Sequence, residues 1–195
     1  MANIDPTKFT EADKEWLRSF RTKIDYDGIK IKEQIKQQLL DNKYIIHVLN
    51  NKELEDDDAG PDEYFGVNIL PYYLISPTQT NVQNFICYTV GFREEQRYND
   101  TVKIMWITFV ILCDQKNIID RDTSLVRTDL LAALIQDQFN YTNYFGRKIH
   151  IIRDEESVVD TSYACRTLVF EQETDNNLVK TRNGIPQLYN KHTHG

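Results

Sequence analysis

The sequence predicts an α+β protein with a single, mostly antiparallel β-sheet flanked by helices, a projecting β-hairpin and extended terminal arms. The first observation is the stretch TVKIMWITFVIL at 101–112, where both alternating sets of side chains are apolar, as in a strand covered on both faces. The second is the order that follows: a polar turn, an amphipathic helix and a further strand. The third is composition, since 195 residues with 41% hydrophobic content can bury one substantial core.

The chain divides by its composition into three parts. We expect an N-terminal arm with a short helix over 1–22, a core domain over 23–175 and a C-terminal tail over 176–195. The tail is polar and shows no sustained apolar period, so it cannot form a core alone.

Two helices are predicted before the first strand. Thr10 is suited to cap the first, which has acidic residues in its first turn and, behind them, Trp16, Leu17 and Phe20 at helical spacing. The second covers 28–41, where apolar residues recur every four positions at Ile31, Ile35 and Leu39.

The next segments are less periodic. The run YIIHVL at 44–49 fits either a strand or a continuation of the helix. Residues 50–66 are acidic and irregular and predict a loop that is either functional or disordered. Residues 67–75 have β character, but Pro71 cannot donate to a ladder, which favours an edge strand or a bent one.

The second half of the chain predicts a hairpin, a helix and two strands. Residues 84–92 and 101–112 are joined by a charged, turn-rich link and form the hairpin. Strands are predicted over 147–153 and 163–171 as antiparallel neighbours, with Gly146 breaking direction before the first. The helix, over 123–139, has Asp122 or Thr123 as its cap and buries Leu125, Leu130, Ala133, Leu134 and Phe139.

The net charge, the first residues and the cysteines limit the kinds of protein that this chain can be. The formal charge of −7 argues against a broad electrostatic grip on nucleic acid, which needs a clustered excess of Lys and Arg. The first residues have neither a signal-peptide pattern nor a long apolar run, so we expect synthesis in the cytoplasm and no membrane span. Three widely spaced cysteines in apolar stretches, Cys87, Cys113 and Cys165, predict buried free thiols.

A search for catalytic motifs predicts no enzyme and no cofactor. The four histidines show no HExxH spacing, the cysteines show no CxxC, and the glycines form neither GxxxxGK[ST] nor GxGxxG. No GxSxG elbow is present, and His150 reads as a residue on the polar face of its strand.

One acidic group could hold a metal. Asp114, Asp120 and Asp122 follow the central strand, where carboxylates could bind Mg²⁺ as in a metal-dependent nuclease. A turn plus a helix cap explains the same three residues without a metal, and we favour that interpretation.

Tyrosines at the ends of elements predict a protein interface, because they are large, rigid and amphipathic. The alternative is that they only close the ends of the core. With the hairpin tip and the tail, the candidate interface residues are Tyr72, Tyr73, Arg93, Glu94, Glu95, Arg97, Tyr141, Tyr144, Leu188 and Tyr189.

The order of these segments resembles a known family. The hairpin, the strand IMWITFVIL, the helix LVRTDLLAALIQDQF and the returning strands GRKIHIIRD and YACRTLVFE are similar to the tail terminator (tail completion) and related neck proteins of tailed bacteriophages. The similarity covers about 67–175 and rests on order and spacing, without a diagnostic motif.

This resemblance implies a non-enzymatic virion protein, assembled in the host cytoplasm. It implies a closed ring of this chain, a hexamer, that caps the tail tube and joins it to the head connector while DNA passes through the lumen. Alternatives are another neck ring or adaptor protein, an unrelated scaffold that binds one partner, or the Mg²⁺-dependent nuclease.

Overall fold

The computed structural model describes most of the chain, in eight segments. They are residues 10–21, 27–57, 59–73, 83–94, 102–158, 162–175, 178–180 and 186–188. The helices are α1 (Glu11–Arg18), α2 (Asp27–Leu40), α3 (Lys43–Leu49), α4 (Lys52–Asp56) and α5 (Arg127–Phe139). The strands are β1 (Ile69–Leu70), β2 (Phe85–Glu94), β3 (Val102–Asp114), β4 (His150–Val158), β5 (Tyr163–Asp175), β6 (Leu178–Lys180) and β7 (Pro186–Leu188).

Five strands form one sheet in the order β1-β2-β3-β5-β4. The short β1 pairs in parallel with β2, and the other neighbours are antiparallel, which confirms the predicted α+β class. β6 and β7 form a separate antiparallel pair. The predicted tip of the β2–β3 hairpin, 95–101, lies outside the described residues, as do 1–9 of the N-terminal arm and most of the tail.

The main core lies between the sheet and the helices. Alternate residues of β3, from Met105 to Cys113, are fully buried on this face because α2, α3 and α5 cover it. The Phe109 ring lies 5.2 Å from that of Phe139 on α5 and 5.7 Å, edge-on, from that of Phe170 on β5. These aromatic contacts fix α5 against the middle of the sheet.

The other face of β3 is only partly covered. Ile104 and Leu112 are buried, and Leu112 packs in a small cluster with Leu70, Phe85, Cys87 and Cys165. Trp106, Thr108 and Val110, between them, are half-buried. We expected β3 to be covered on both faces. The face toward the helices is fully covered, whereas the other face is covered only at its two ends.

The helices before the sheet begin at side-chain caps. Thr10 and Asp13 form a reciprocal capping box at α1, as expected for Thr10, and Ile35 and Leu39 of α2 are fully buried as predicted. Residues 44–49 are helical, so the strand alternative is wrong. The Asn42 side chain accepts hydrogen bonds from the N–H groups of Tyr44 and Ile45 and starts a new helix there.

The predicted loop at 50–66 contains regular structure. Asn51 caps α4, and a 3-10 turn over Pro61–Tyr64 buries Tyr64, so the interpretation of the whole segment as irregular is wrong. The segment lacks the regular spacing of apolar residues that predicts a helix, and α4 forms because the Asn51 side chain caps it. β1 stops immediately before Pro71 at the edge of the sheet, which confirms the edge-strand interpretation.

The start and the buried face of α5 differ from the prediction. Asp120 accepts hydrogen bonds from the Thr123 N–H and hydroxyl, and Ser124 has a φ of 60°, so the chain turns before the helix begins. Asp122 and Thr123 are therefore not its cap, and the N-cap position is Val126, without a side-chain bond. Leu125 and Ala133 are exposed, Leu130 and Leu134 are half-buried, and the buried apolar residues are Leu131, Ala132, Ile135 and Phe139.

The last strands and the thiols largely follow the prediction. β4 and β5 are antiparallel neighbours, Gly146 has a φ of 94° in the turn before β4, and His150 is exposed. β5 is not the last strand, because β6 and β7 follow in the tail. The cysteines Cys87, Cys113 and Cys165 are free and buried, as expected.

We predict that Phe109→Ala lowers the free energy of unfolding by about 3–5 kcal/mol, because it opens a cavity between α5 and the sheet. Val158→Ala is the control, since this side chain is 70% exposed on β4 and its loss should change stability by less than about 0.5 kcal/mol. Urea denaturation followed by circular dichroism measures both. Equal effects would contradict the assignment of Phe109 to the centre of the core.

Candidate functional site

A buried ion pair lies at one end of the sheet. The Arg127 Nη1 atom is 3.0 Å from Oδ1 of Asp120, and both side chains are almost completely buried. Hydrogen bonding from Thr123, together with the Arg127 charge, lowers the pKa of Asp120. The carboxylate is therefore held ionised where a lone buried charge would be costly.

Arg127 also joins three parts of the chain. Its Nη1 donates to the Val48 carbonyl near the end of α3, and its Nε donates to the Asn117 carbonyl after β3, both at 2.9 Å. The guanidinium thus links the start of α5 to the end of α3 and to the turn after β3.

Three buried asparagines form a second connection beside it. Asn51 Nδ2 donates to Asn68 Oδ1 at 2.7 Å, and Asn68 Nδ2 donates to the Asn84 carbonyl at 2.8 Å. Asn84 Nδ2 donates to the Leu49 carbonyl at 2.9 Å. This chain of amides links α3, α4 and the starts of β1 and β2, and sequence reasoning missed it because single asparagines carry no spacing signal.

An open polar cavity of about 560 Å³ lies over the ion pair. Its charged lining has four cations, Lys52, Lys116, Arg121 and Arg127, against three anions, Glu53, Asp120 and Asp122. The remaining lining residues are His47, Asn50, Asn51, Gln83 and Asn117. The cavity combines both signs of charge with amides and has no apolar wall of the kind that holds drug-sized ligands.

A metal fits this cavity poorly. The structure brings His47, Asp120 and Asp122 together, with one ligand atom from each within 4.8 Å of the others. His47 Nε2 already contacts Asp122 Oδ2 at 3.2 Å, and the Arg127 cation lies against Asp120. Both Asp120 oxygens have protein partners, so a divalent cation would compete with a guanidinium for the same carboxylate.

The third acidic candidate is outside this group. Asp114 Oδ1 accepts from the Lys116 N–H at 2.8 Å and caps a 3-10 turn over Gln115–Asn117. We had explained the three aspartates by a turn and a helix cap instead of a metal. Asp114 and Asp120 do stabilise turns, but none of the three caps α5.

The predicted interface tyrosines lie at opposite edges of the sheet. Tyr72 and Tyr73 follow β1, are about half exposed (51% and 50%), and the Tyr73 hydroxyl accepts from Thr89 Oγ1. Tyr141 and Tyr144 precede β4 and are 66% and 44% exposed. The Tyr141 N–H donates to the Ile149 carbonyl, which fixes this loop beside the start of β4.

Of the predicted interface residues in the β2–β3 hairpin, Arg93 is the one whose side chain the structure describes. Arg93 lies over the Trp106 ring at 4.7 Å, and Trp106 Nε1 donates to Glu171 on β5 at 2.7 Å. This arrangement orders an exposed arginine on the less covered face of the sheet. Glu94 and Leu188 are described only in their backbones, and Glu95, Arg97 and Tyr189 lie outside the described residues.

A charge cluster that the sequence did not reveal joins β4 to α5. The Arg166 guanidinium on β5 binds Asp154 through Nε at 2.7 Å and also contacts Asp129 and Glu156. Hydrogen bonding from Arg166 lowers the pKa of Asp154. These residues come from three separate segments, so only the tertiary fold brings them together.

Comparison with known proteins gives a family match. The family model named YomW matches residues 42–172, more than half of the 195 residues, from the cap of α3 into β5. The match points to a phage-related protein. No curated protein matches the chain. Among the described residues, no helix combines the length and apolar character needed to cross a bilayer.

We predict that Arg127→Met lowers the free energy of unfolding by about 3–5 kcal/mol, because it leaves the Asp120 carboxylate buried without its counter-ion. Arg121→Met is the matched control, since Arg121 lines the same cavity but is exposed, and it should change stability by less than about 0.5 kcal/mol. Urea denaturation at neutral pH measures the difference. Similar losses in both variants would contradict the structural role of the ion pair.

The lowered pKa of Asp120 predicts a dependence of stability on pH. The stabilisation from the ionised carboxylate is complete above its ordinary pKa of 3.8 and is lost as the pH falls through the lower value of the folded state. We expect Asp120→Asn to have a lower free energy of unfolding than the parent at pH 7. This difference in unfolding free energy should become smaller below pH 3.8. The exposed Asp122→Asn controls for the loss of one charge. A gap independent of pH would contradict the prediction.

Proposed function

The chain belongs to the YomW family, and from that premise we propose that it is a structural protein of a phage neck, a tail terminator that assembles into a closed ring of about six copies. In this proposal the ring caps the tail tube and joins it to the head connector while DNA passes through its lumen. The protein performs no chemistry, and its function is geometric.

The placement of the exposed tyrosines supports the proposal most directly. One pair lies at the β1 edge of the sheet and the other beside the start of β4, at the opposite edge. A head-to-tail ring places two different surfaces of each subunit in contact with its two neighbours. Amphipathic aromatics on both surfaces are the residue type that interfaces favour.

Two further observations agree with the proposal. The hairpin, central strand, helix and two returning strands on which the tail-terminator resemblance rests are present in that order, as β2, β3, α5, β4 and β5. The formal charge of −7 favours weak contact with passing DNA, because phosphate binding requires clustered cations.

We predict that the purified protein forms rings, visible by negative-stain electron microscopy and by mass in light scattering. Tyr72→Ser/Tyr73→Ser and Tyr141→Ser/Tyr144→Ser, made in separate chains, should each weaken association by about 2 kcal/mol or more. Mixing the two variants should restore pairs but not rings, because each retains one intact surface. Tyr44→Ser is the control, since Tyr44 is 60% exposed on α3, a helix that packs against α2 and α5.

The same experiments separate the proposal from its alternatives. A protein that stays monomeric at all concentrations, or tyrosine variants that assemble like the parent, would contradict the ring. Mg²⁺-dependent cleavage of DNA that is lost in Asp120→Asn, with the fold retained, would replace it with the nuclease.

A further inference from the structure

The outer edge of β4 is open along most of its length. β4 is the last strand of the sheet, and within the described part of the chain no strand pairs with its outer side. The α5–β4 loop covers only its beginning, where the Ile151 N–H donates to Asn140 Oδ1 at 3.0 Å. From Ile152 to Val158 the side chains are exposed. Such an edge presents backbone groups on which another strand can pair.

The tail contains a hairpin that has no other strand beside it. β6 and β7 pair with one another and, among the described residues, belong to no larger sheet. A two-stranded hairpin alone is at best marginally stable in water, whereas a third strand allows independent stability. The hairpin therefore gains stability by docking on an existing edge.

The charges of the two segments are complementary. Residues 176–195 contain Lys180, Arg182 and Lys191 and no acidic residue, although the chain as a whole has 30 acidic residues against 23 basic ones. The open part of β4 carries Asp154, Glu155 and Glu156. Arg153 pairs with Glu155, and Arg166 on β5 pairs with Asp154, Glu156 and Asp129, so this group has four carboxylates against two arginines and keeps a net negative charge. Opposite charges placed across neighbouring strands stabilise pairing.

The short link between β5 and β6 disfavours docking of the hairpin on the β4 edge of its own chain. Asp175 lies six residues along β5 from Val169, the partner of Arg153, which corresponds to about 20 Å of strand. Only residues 176 and 177 separate β5 from β6, and this link spans at most about 11 Å. The start of β6 therefore cannot lie opposite Arg153 of its own chain, which favours a hairpin from another molecule.

We propose that the β6–β7 hairpin of one copy docks on the open edge of β4 in a second copy and extends its sheet. The inference rests on the proposed ring, for which it supplies a second contact at each junction. The contact is head-to-tail, because hairpin and edge are different surfaces, and an open row of subunits keeps one free hairpin at one end and one free β4 edge at the other until the ring closes.

Cysteine cross-linking tests this contact in the full-length chain. Ser157→Cys places a thiol on the open part of β4 and Val179→Cys places one on β6, while the three native cysteines are buried. Mixing the two variants under mild oxidation should give a disulfide-linked pair. Glu63→Cys, exposed next to the β1 edge, replaces Ser157→Cys as the control and should give about tenfold less product.

Charge reversal adds a second measurement. Lys180→Glu/Arg182→Glu in the Val179→Cys chain should lower the cross-linking yield about tenfold, because like charges then oppose one another across the junction. The same reversal in the Glu63→Cys mixture should have no effect. A yield unchanged by reversal would contradict the electrostatic part of the proposal.

The outcomes separate this inference from the ring itself. Rings without cross-linking above the control would overturn the hairpin contact and leave the ring intact. Cross-linking in a preparation that forms no rings would support the contact and contradict the ring. A double variant, Ser157→Cys/Val179→Cys, that closes within one chain at high dilution would show docking on the same molecule and overturn the inference.

Discussion

The ion pair between Arg127 and Asp120 is the constraint on which the arrangement of the helices depends. Its guanidinium binds the Asp120 carboxylate and the carbonyls of Val48 and Asn117, so one side chain at the start of α5 fixes the end of α3 and the loop after β3. Two charges in a buried position are stable only while both partners and their remaining hydrogen bonds are present. The ring contact between Phe109 and Phe139 holds the other end of α5, so the two contacts together position the helix that leads into the α5–β4 loop and its tyrosines.

The sequence predicted the elements whose periodicity is long and simple. The two-sided apolar pattern of β3 and the four-residue repeat of α2 each gave the correct element. The errors lie where a hydrogen bond from one side chain, and not the spacing of apolar residues, determines where a helix begins. Asn42 turns an ambiguous apolar run into α3, and Asp120 with Thr123 forms a turn that delays the start of α5 until Arg127.

The candidate interface was predictable in residue type but not in placement. Tyrosines near the ends of elements indicated a surface, yet their position at opposite edges follows only from the order β1-β2-β3-β5-β4. The Arg166 cluster and the asparagine chain were not predictable, because each joins residues from distant segments. Such contacts depend on tertiary geometry, which composition and spacing do not encode.

The acidic sequence of β4 also bears on which assemblies the protein avoids. If two copies met through this strand in the antiparallel, self-complementary way that commonly forms dimers, Asp154, Glu155 and Glu156 of each would face the same carboxylates. In the proposed ring, the negative charge of this edge would disfavour symmetric pairing and favour a basic strand, so assembly would proceed in one direction from subunit to subunit.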